Sequence, residues 1–213
     1  VTDSFTITVA NTNDAPTISS TAVLTATEDV AYTYTVTAAD VDSGDTLTMT
    51  GTTVPGWATF TASTGVLAGT PLNADVGANS VVITVSDGTA SVTDSFTITV
   101  ANANDAPTIT STAVLTATED AAYTYTVTAA DADSDTLTMT GTTVPGWATF
   151  TASTGVLAGT PPNANVAATS VVITVSDGNG GSVTDSFTTT VAHTHDPPTL
   201  PTPPLSPATE HDH

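Results

Sequence analysis

The sequence predicts an all-β protein made of two tandem Greek-key β-sandwiches. The segment VTDSFTITVA at residues 1–10 returns unchanged at 92–101 and as VTDSFTTTVA at 183–192, so the chain repeats every 91 residues (92 − 1 and 183 − 92). Within it, apolar Phe5, Ile7 and Val9 alternate with polar residues, which is typical of a strand with one buried face. No segment has helical periodicity. About seven short strands per repeat, separated by turn signals, favour a sandwich.

The elements of the first repeat follow the same logic in chain order. Strands are predicted at 18–25, 32–37, 47–49, 66–67, 81–85 and 92–100, with a further apolar segment around Trp57 and Phe60. Between them lie turns and loops rich in Gly, Pro, Asp and Ser, including the acidic loop 40–45 and a long polar loop over 69–77. The second repeat has one residue fewer in its acidic loop, 131–135, and one more at 178–181.

A hexapeptide lies at each boundary between two repeats. It reads NTNDAP at 11–16, NANDAP at 102–107 and, with changes, HTHDPP at 193–198. We therefore divide the chain into a last strand of a preceding repeat (1–10), repeat 1 (11–101), repeat 2 (102–192) and an altered start of a third repeat (193–213). We expect residues 1–10 to be mobile or to pair with a sheet edge. The chain starts inside a repeat, which predicts that it is part of a longer protein.

The tail 193–213 is rich in proline and has no apolar periodicity, so we expect it to be disordered. Its systematic changes from the repeat suggest a decayed or misread end of a longer reading frame. The four histidines of the chain all lie in this tail. They could hold a transition metal.

Composition excludes several classes of partner. The chain has 21 acidic residues, no Lys or Arg, and a formal net charge of −21. Nucleic acid and anionic membrane surfaces need cationic side chains, so neither is expected as a partner. The charge favours cations, although solubility alone is the alternative explanation. No cysteine is present for a disulfide, no lysine for an isopeptide crosslink, and no run of about 20 apolar residues for membrane insertion.

Catalysis is not predicted. The two repeats contain no histidine, the commonest general base, and show neither a nucleophile–base order nor a glycine-rich phosphate loop. Two tryptophans and two tyrosine pairs could instead form a sugar-stacking platform: Trp57, Trp147, Tyr32, Tyr34, Tyr123 and Tyr125. Their place on the inward register of alternating strands favours core packing.

Oxygen-bearing side chains recur in the loops of both repeats. In repeat 1 and its linker they are Glu28, Asp29, Asp40, Asp42, Asp45, Asp75, Asp87, Asp94, Asn102, Asn104 and Asp105; in repeat 2 they are Glu119, Asp120, Asp131, Asp133, Asp135, Asp177 and Asp185. Carboxylate and amide oxygens suit Ca²⁺, which takes about six to eight oxygen ligands, whereas zinc prefers His or Cys. The alternative is that these residues only form turns.

Four motifs carry a family resemblance over residues 1–196. They are Asn-x-Asn-Asp-Ala-Pro, Asp-x-Asp-Ser-Gly-Asp, Ser-Thr-Gly-Val-Leu-x-Gly-Thr-Pro and Val-x-Val-Ser-Asp-Gly. In combination they resemble the cadherin-like repeats of bacterial surface proteins, most closely the dystroglycan-type cadherin-like and immunoglobulin-like repeats. The resemblance implies Ig-like or cadherin-like sandwiches with Ca²⁺ at the junctions between repeats.

The resemblance also implies a ligand set. At the central junction it comprises Glu28, Asn104, Asp105, Asp131, Asp133 and Asp177, and at the upstream junction Asn13, Asp14, Asp40, Asp42 and Asp87. The cadherin Leu-Asp-Arg-Glu element is absent and Leu-Ala-Gly-Thr-Pro stands in its region, so one Ca²⁺ per junction is expected, or two, rather than three. The changed copy at 193–196 keeps only Asp196 of the oxygen set and is not expected to bind calcium.

These observations predict a calcium-binding structural or adhesive repeat segment of a large extracellular bacterial surface protein, with Ca²⁺ stiffening the junctions. Expected partners are calcium ions, neighbouring repeats of the same chain, and cell-surface or matrix ligands or further copies of the chain. The alternatives are a carbohydrate-binding accessory module of a secreted enzyme, and a filament subunit that assembles by strand addition.

Overall fold

The computed structural model describes residues 2–195 and 197, and the chain forms two compact units, Val1–Asp105 and Ala106–His213. The boundary falls inside the hexapeptide 102–107. Strands make up nearly all of the regular secondary structure in both units, as the alternation of apolar and polar residues predicts, and the all-β fold class is confirmed. The finer division at 11–101 and 102–192 stays a prediction.

The first unit has a four-stranded sheet ordered β2-β9-β8-β5, a three-stranded sheet ordered β3-β7-β6, and the small pair β1-β4. Its strands are β1 (Thr17–Ile18), β2 (Thr25–Thr27), β3 (Tyr32–Thr35), β4 (Ala38–Ala39), β5 (Thr48–Thr53), β6 (Ala58–Thr61), β7 (Val66–Gly69), β8 (Gly77–Ser86) and β9 (Ser91–Ala101). Strands β2 and β9 are parallel and the other pairs are antiparallel. The last strand, β9, is therefore central in its sheet.

The second unit repeats this topology, with sheets β11-β18-β17-β14 and β12-β16-β15 and the pair β10-β13. Its strands are β10 (Thr108–Ile109), β11 (Thr116–Thr118), β12 (Tyr123–Thr126), β13 (Ala129–Ala130), β14 (Thr138–Thr143), β15 (Ala148–Thr151), β16 (Val156–Gly159), β17 (Ala168–Ser176) and β18 (Ser182–Ala192). The loop changes at 131–135 and 178–181 leave the strand order unaltered, because loops tolerate changes of length.

Two sequence predictions need correction. The single strand predicted at 18–25 is two short strands, β1 and β2, with irregular backbone between them. The polar loop at 69–77 contains a 3₁₀ helix, Asn73–Asp75, and the second unit has its counterpart at Asn163–Asn165. One 3₁₀ turn is too short to produce a periodic signal, so pattern reasoning misses it.

The core of each unit lies between its four-stranded and three-stranded sheets. In the first unit Leu67 of β7 and Ile83 of β8 are fully buried, and Tyr32 and Tyr34 of β3 pack with them. The ring of Tyr32 meets that of Trp57 edge-on, with centroids 5.6 Å apart. Equivalent residues form the core of the second unit. The aromatic residues of the repeats are thus core residues, as the inward register predicts.

Residues 2–16 form no strand, although 2–10 have the sequence of β9. Phe5, Ile7 and Val9 are 79%, 74% and 87% exposed, respectively. The strand predicted at 1–10 does not form because a lone segment gains no sheet neighbours or buried face to offset its ordering entropy. The predicted disorder of the tail falls almost entirely outside the described residues.

Candidate metal centres

The acidic loop between β4 and β5 brings three carboxylates together. Asp40, Asp42 and Asp45 each offer an oxygen, and the three oxygens lie within 4.8 Å of one another. The loop is folded by its own first residue, since Asp40 Oδ1 accepts the backbone N–H of Asp42 at 2.8 Å. The second oxygen, Oδ2 of Asp40, is buried and has no hydrogen-bond partner among the described residues. Buried carboxylate oxygens normally have a hydrogen-bond partner, so this atom is an exception that needs an explanation.

The upstream hexapeptide lies against this loop. The Asn11 side chain donates to Asp42 Oδ1 at 2.7 Å, and the backbone N–H of Asp14 donates to Asp42 Oδ2, also at 2.7 Å. The Asn13 side chain donates to Asp87 Oδ2 at 3.0 Å. The linker therefore reaches both the acidic loop and the turn after β8. All five upstream residues implied by the family resemblance meet in the first unit: Asn13, Asp14, Asp40, Asp42 and Asp87.

Two carboxyl groups of this cluster and its surroundings, Asp87 and Asp45, have pKa values shifted in opposite directions. The backbone N–H groups of Ala90 and Thr89, both 2.6 Å from Asp87 Oδ1, hold the pKa of Asp87 below its usual value, and the Asn13 amide adds to this. At Asp45 the direction is opposite. Desolvation, followed by the negative charges of Asp40, Asp42 and Asp87, raises the pKa of the Asp45 carboxyl. The charge of Asp87 is met by donors, whereas that of Asp45 faces other carboxylates.

The second unit builds the same loop one residue shorter. Asp131 Oδ1 accepts the backbone N–H groups of Asp133 at 3.0 Å and Asp135 at 3.3 Å. Carboxylate oxygens of these three residues again lie within 4.8 Å of one another. Oδ2 of Asp131 repeats the feature seen at Asp40, being buried and without a partner in the described chain. The same unusual atom therefore recurs at equivalent positions in two loops of different length.

Asn179 lies in the loop 178–181, which is one residue longer than its counterpart in the first unit, and it contacts the shortened acidic loop. The Asn179 side chain donates to Asp135 Oδ2 at 2.8 Å, while its backbone N–H donates to Asp177 Oδ1 at 2.7 Å. Gly181 N–H also donates to that oxygen, at 3.0 Å. Asn179 thus connects the loop of Asp177 to the shortened acidic loop. The deletion at 131–135 and the insertion at 178–181 fall in two loops that touch.

A second type of cluster lies at the turn after β2. Oxygens of Glu28, Asp29 and Asp105 lie within 4.8 Å of one another. Glu28 is only 1% exposed, and its Oε2 accepts the backbone N–H of Ala103 at 3.3 Å. Asp29 has a positive φ of 58°, a conformation that Asp tolerates better than most residues. The turn therefore presents two adjacent acids to the linker that follows β9.

In the second unit a histidine lies against the equivalent glutamate. Oε1 of Glu119 accepts the backbone N–H of Thr194 at 2.6 Å and contacts His193 Nδ1 at 2.7 Å. Oε2 of Glu119 is buried, with no partner within the described ranges. The residue aligned with Asp105 is Asp196, which lies outside the described residues. The prediction that this copy does not bind calcium stays untested.

The ligand set predicted for the central junction divides between the two units. Glu28 and Asp105 lie together in the first unit, and Asp131 and Asp133 lie together in the second. Asp177 is held within its own loop. The Asn104 side chain donates to the Asp105 carbonyl at 3.3 Å, as Asn13 does to Asp14 at 3.0 Å. The two linker copies therefore share a local conformation.

Three clustered acids lie outside the predicted ligand set: Asp29, Asp45 and Asp135. The available signal was the acid-rich composition of the loops themselves. Asp94 and Asp185, which the sequence groups with the other acids of the repeats, accept hydrogen bonds from Tyr34 Oη at 2.9 Å and Tyr125 Oη at 2.6 Å. Each pair is 60 residues apart in sequence, so only the packing of strands reveals it.

Two solved structures of cadherin repeats have the same fold as this chain. They share too little sequence with it to indicate more than the fold. Human protocadherin-24 EC1-2 matches with a TM-score of 0.53 and 18% identity, covering 84% of this chain and 100% of that one. PcdhgB3 EC1-4 matches with a TM-score of 0.54 and 16% identity, covering 84% of this chain and 50% of that one. Both show that the chain has the fold of cadherin repeats in tandem.

An enzyme is also among the similar structures. An endo-fucoidan hydrolase, MfFcnA4, from glycoside hydrolase family 107, is 32% identical over 85% of this chain, with a TM-score of 0.40. The match spans 29% of the hydrolase chain, so most of that enzyme has no counterpart here. No curated protein matches the chain. Among the described residues, no helix has the length and apolar character needed to cross a membrane.

The family of the chain follows from a family model that matches both units. The model of the family described as "Putative Ig domain" matches twice, at residues 15–101 and 106–192. The two matches together cover most of the chain and correspond to the two compact units. The chain belongs to this immunoglobulin-like domain family and carries two of its domains in tandem.

Proposed function

We propose that this chain is a calcium-binding structural repeat segment of an extracellular surface protein, in which Ca²⁺ stiffens the linkers between repeats. The observation that carries the proposal is that Oδ2 of both Asp40 and Asp131 is buried and has no hydrogen-bond partner among the described residues. Leaving a buried acceptor unsatisfied costs about 1–3 kcal/mol, and more when it is charged. Two such atoms at equivalent positions are accounted for if a cation completes each loop.

The donor chemistry favours calcium. Two ligands on opposite sides of one Ca²⁺ are about 4.6–5.2 Å apart, given Ca–O distances of about 2.3–2.6 Å. Oxygens that lie within 4.8 Å of one another therefore fit around a single ion of this size. The clusters contain carboxylates and neighbouring amides but no thiolate or imidazole, which disfavours zinc. Magnesium is also less suited, because it keeps its water and demands an octahedron.

The contacts of the linker with the acidic groups explain how a bound ion would make the linker stiffer. In the first unit, linker residues 11–14 contact the loop of Asp42 and the turn of Asp87, while Asp105 of the next linker copy lies beside Glu28. The two unaltered copies of the hexapeptide thus carry residues suited to both kinds of cluster. We infer that bound Ca²⁺ holds the linker to the acidic groups that flank it, and that without the ion like charges repel and the linker bends more freely.

The role is structural rather than catalytic. The three clusters offer carboxylates, without a histidine or cysteine among their members to pair with them as base or nucleophile. Of the aromatic residues, Phe5 is the one that is largely exposed, and Trp57 and Trp147 pack against the cores, so a sugar-stacking strip is not supported. An extracellular setting agrees with an immunoglobulin-like family, the strongly acidic chain and sites suited to millimolar Ca²⁺.

The test is thermal unfolding of the full chain in EDTA and in millimolar CaCl₂. If Ca²⁺ binds only the folded state and is present at about 100 times its Kd, it adds about 2.7 kcal/mol per site. For units of this size that raises the Tm by roughly 10 °C or more. The double variant Asp40→Asn with Asp131→Asn should lose most of this shift. Asn still offers Oδ1 to the loop N–H groups but replaces Oδ2 with an NH₂ group.

The matched control is Asp75→Asn, which removes one charge outside the clusters. Asp75 Oδ2 only caps the backbone of Leu72, and the second unit naturally has Asn165 at this position. The Asp75→Asn variant should keep the calcium shift. The proposal is wrong if wild-type chain melts at the same temperature in EDTA and in Ca²⁺. Stiffening is tested separately, by small-angle X-ray scattering of the chain in EDTA and in Ca²⁺. In Ca²⁺ we expect the radius of gyration to be larger and its distribution narrower.

A further inference from the structure

We propose that Asn179 is a site of spontaneous deamidation, which converts its side-chain amide into a carboxylate beside Asp135. Asn179 precedes Gly180, and this is the one Asn-Gly pair in the 213-residue sequence. Both residues are exposed and lie in the bend between β17 and β18. In the first unit Thr89 follows the same Val-Ser-Asp-Gly motif, so the reactive pair belongs to the second unit alone.

The reaction needs no reactant besides water. The backbone nitrogen of Gly180 gives up its proton to the solvent and attacks Cγ of Asn179, forming a new N–Cγ bond. The side-chain nitrogen leaves as ammonia, and a cyclic imide remains. Water then opens the imide at either carbonyl, so the product is aspartate or, with the chain running through Cγ, isoaspartate. In balance, an amide and a water molecule give a carboxylate and an ammonium ion.

The backbone at Gly180 leaves the attacking nitrogen accessible. Gly180 has a φ of 112°, a conformation open to glycine, and a Cβ built there would meet nothing within 4 Å. Its N–H donates no hydrogen bond within the described part of the chain. Asn79 provides the contrast, because it lies in β8, its amide donates to the carbonyls of Asp75 and Gly77, and Ser80 follows it. The structure therefore favours reaction at Asn179 over Asn79.

The hydrogen bond of the Asn179 side chain gives the modification its effect. Nδ2 of Asn179 donates to Oδ2 of Asp135 at 2.8 Å, and Asp135 is one of the three clustered carboxylates of the acidic loop. Both products lose this donor. In the aspartate product a negatively charged oxygen takes its place, so an attractive contact becomes repulsion between like charges. Deamidation therefore adds a fourth acid where the loop now has a neutral partner.

The same change would act on calcium binding, and this consequence rests on the proposed function. A carboxylate at position 179 adds an oxygen beside the cluster of Asp131, Asp133 and Asp135, and a bound cation relieves the added repulsion. The rise in Tm that Ca²⁺ produces in the second unit should therefore be larger after deamidation. The modification itself is measured in EDTA, so it stands or fails independently of calcium.

The test of the reaction is incubation of the full chain in EDTA at mildly alkaline pH, where the Gly180 nitrogen loses its proton more readily. Mass spectrometry follows digestion with chymotrypsin, because the chain has no Lys or Arg for trypsin. Position 179 should gain about 1 Da while Asn79 stays unchanged. Asn179→Gln keeps an amide but must close a larger ring, so it should react at least about tenfold more slowly. A position 179 that reacts no faster than Asn79 overturns the proposal.

The test of the contact uses Asn179→Asp, which reproduces the aspartate product. Trp147 fluorescence in a Trp57→Phe background reports the unfolding of the second unit. In EDTA the Tm of this variant should be lower by roughly 4–8 °C, since a hydrogen bond is lost and a repulsion is added. Asn179→Thr is the matched control: it introduces the residue type of the first unit, adds no charge and should cost less. If the two variants are equally stable, the contact of the new carboxylate with Asp135 is overturned.

Discussion

The indole Nε1 of Trp57 donates a hydrogen bond of 3.1 Å to Oδ1 of Asn79, and the second unit does not repeat this contact. There, Thr169 occupies the position of Asn79, and Nε1 of Trp147 is buried with no hydrogen-bond partner in the described part of the chain. Asn79 also donates to the carbonyls of Asp75 and Gly77, so it ties the tryptophan to the 3₁₀ turn before β8. In the first unit Asn79 supplies an acceptor to the indole N–H, and in the described part of the second unit the equivalent N–H has none.

Thr169→Asn should therefore stabilise the second unit. Supplying an acceptor to a buried indole N–H is worth about 1 kcal/mol, or roughly 4–8 °C in Tm for a unit of this size. The measurement is tryptophan fluorescence during unfolding in a Trp57→Phe background, where Trp147 alone reports. The reverse change in the first unit, Asn79→Thr, should destabilise it by about 1–3 kcal/mol, read from Trp57 in a Trp147→Phe background. An unchanged midpoint in both would show that the hydrogen bond carries no net stability.

Gly159→Ala should be among the most damaging single changes to the second unit. A Cβ at Gly159 would lie 2.2 Å from the carbonyl oxygen of Trp147 and 2.8 Å from Cα of Ala148. Both are backbone atoms, one in the residue just before the paired strand β15 and one in its first residue, so the strands must separate at a cost of about 3 kcal/mol. Gly146→Ala is the matched control, because a Cβ there meets nothing within 4 Å. Denaturant midpoints should fall for the first variant and stay within about 0.5 kcal/mol for the second.

The sequence predicts the fold better than it predicts which acidic residues cluster. Period-two alternation along 81–85 and 92–100 identifies the central strands, because a strand with one buried face leaves that pattern wherever it occurs. Loop residues carry no such constraint. Asp45 joins a cluster of carboxylates whereas Asp94 accepts a hydrogen bond from a tyrosine, yet both lie near a strand end. What separates them is the fold around them, across 60 residues in the case of Tyr34 and Asp94. Side-chain periodicity contains no information on such contacts.

Alkaline pH should unfold both units through their buried tyrosines. Burial, with a smaller contribution from the neighbouring Tyr34, raises the pKa of Tyr32 to about 12. Burial, followed by the hydrogen bond to Asp185, raises the pKa of Tyr125 to about 12. A pKa raised in the folded state contributes stability that is fully present below the usual value of 10.0 and is lost as pH rises from there to about 12.

The test is unusually direct because the chain has no lysine or cysteine that would titrate in the same range. We expect Tm to be constant at mildly alkaline pH and to fall steeply above pH 10, together with a rise in tyrosinate absorbance. Tyr32→Phe should reduce the steepness for the first unit only. A Tm that falls well below pH 10 would assign the loss to another group, and a flat profile beyond pH 11 would contradict the raised values.

Removal of calcium should reverse the rank order of wild type and the Asp131→Asn variant. In EDTA the wild-type loop holds three carboxylates with oxygens within 4.8 Å, one of them with a buried oxygen lacking a partner in the described chain. Replacing Asp131 removes one charge and keeps the acceptor for Asp133 N–H, so the variant should melt higher than wild type without calcium. In saturating Ca²⁺ it should melt lower, because it has lost a ligand. Calorimetry in the two buffers measures both differences. Only a cation bound at this loop makes the two curves cross; a variant that is less stable than wild type by the same amount in both buffers would assign Asp131 a purely structural role.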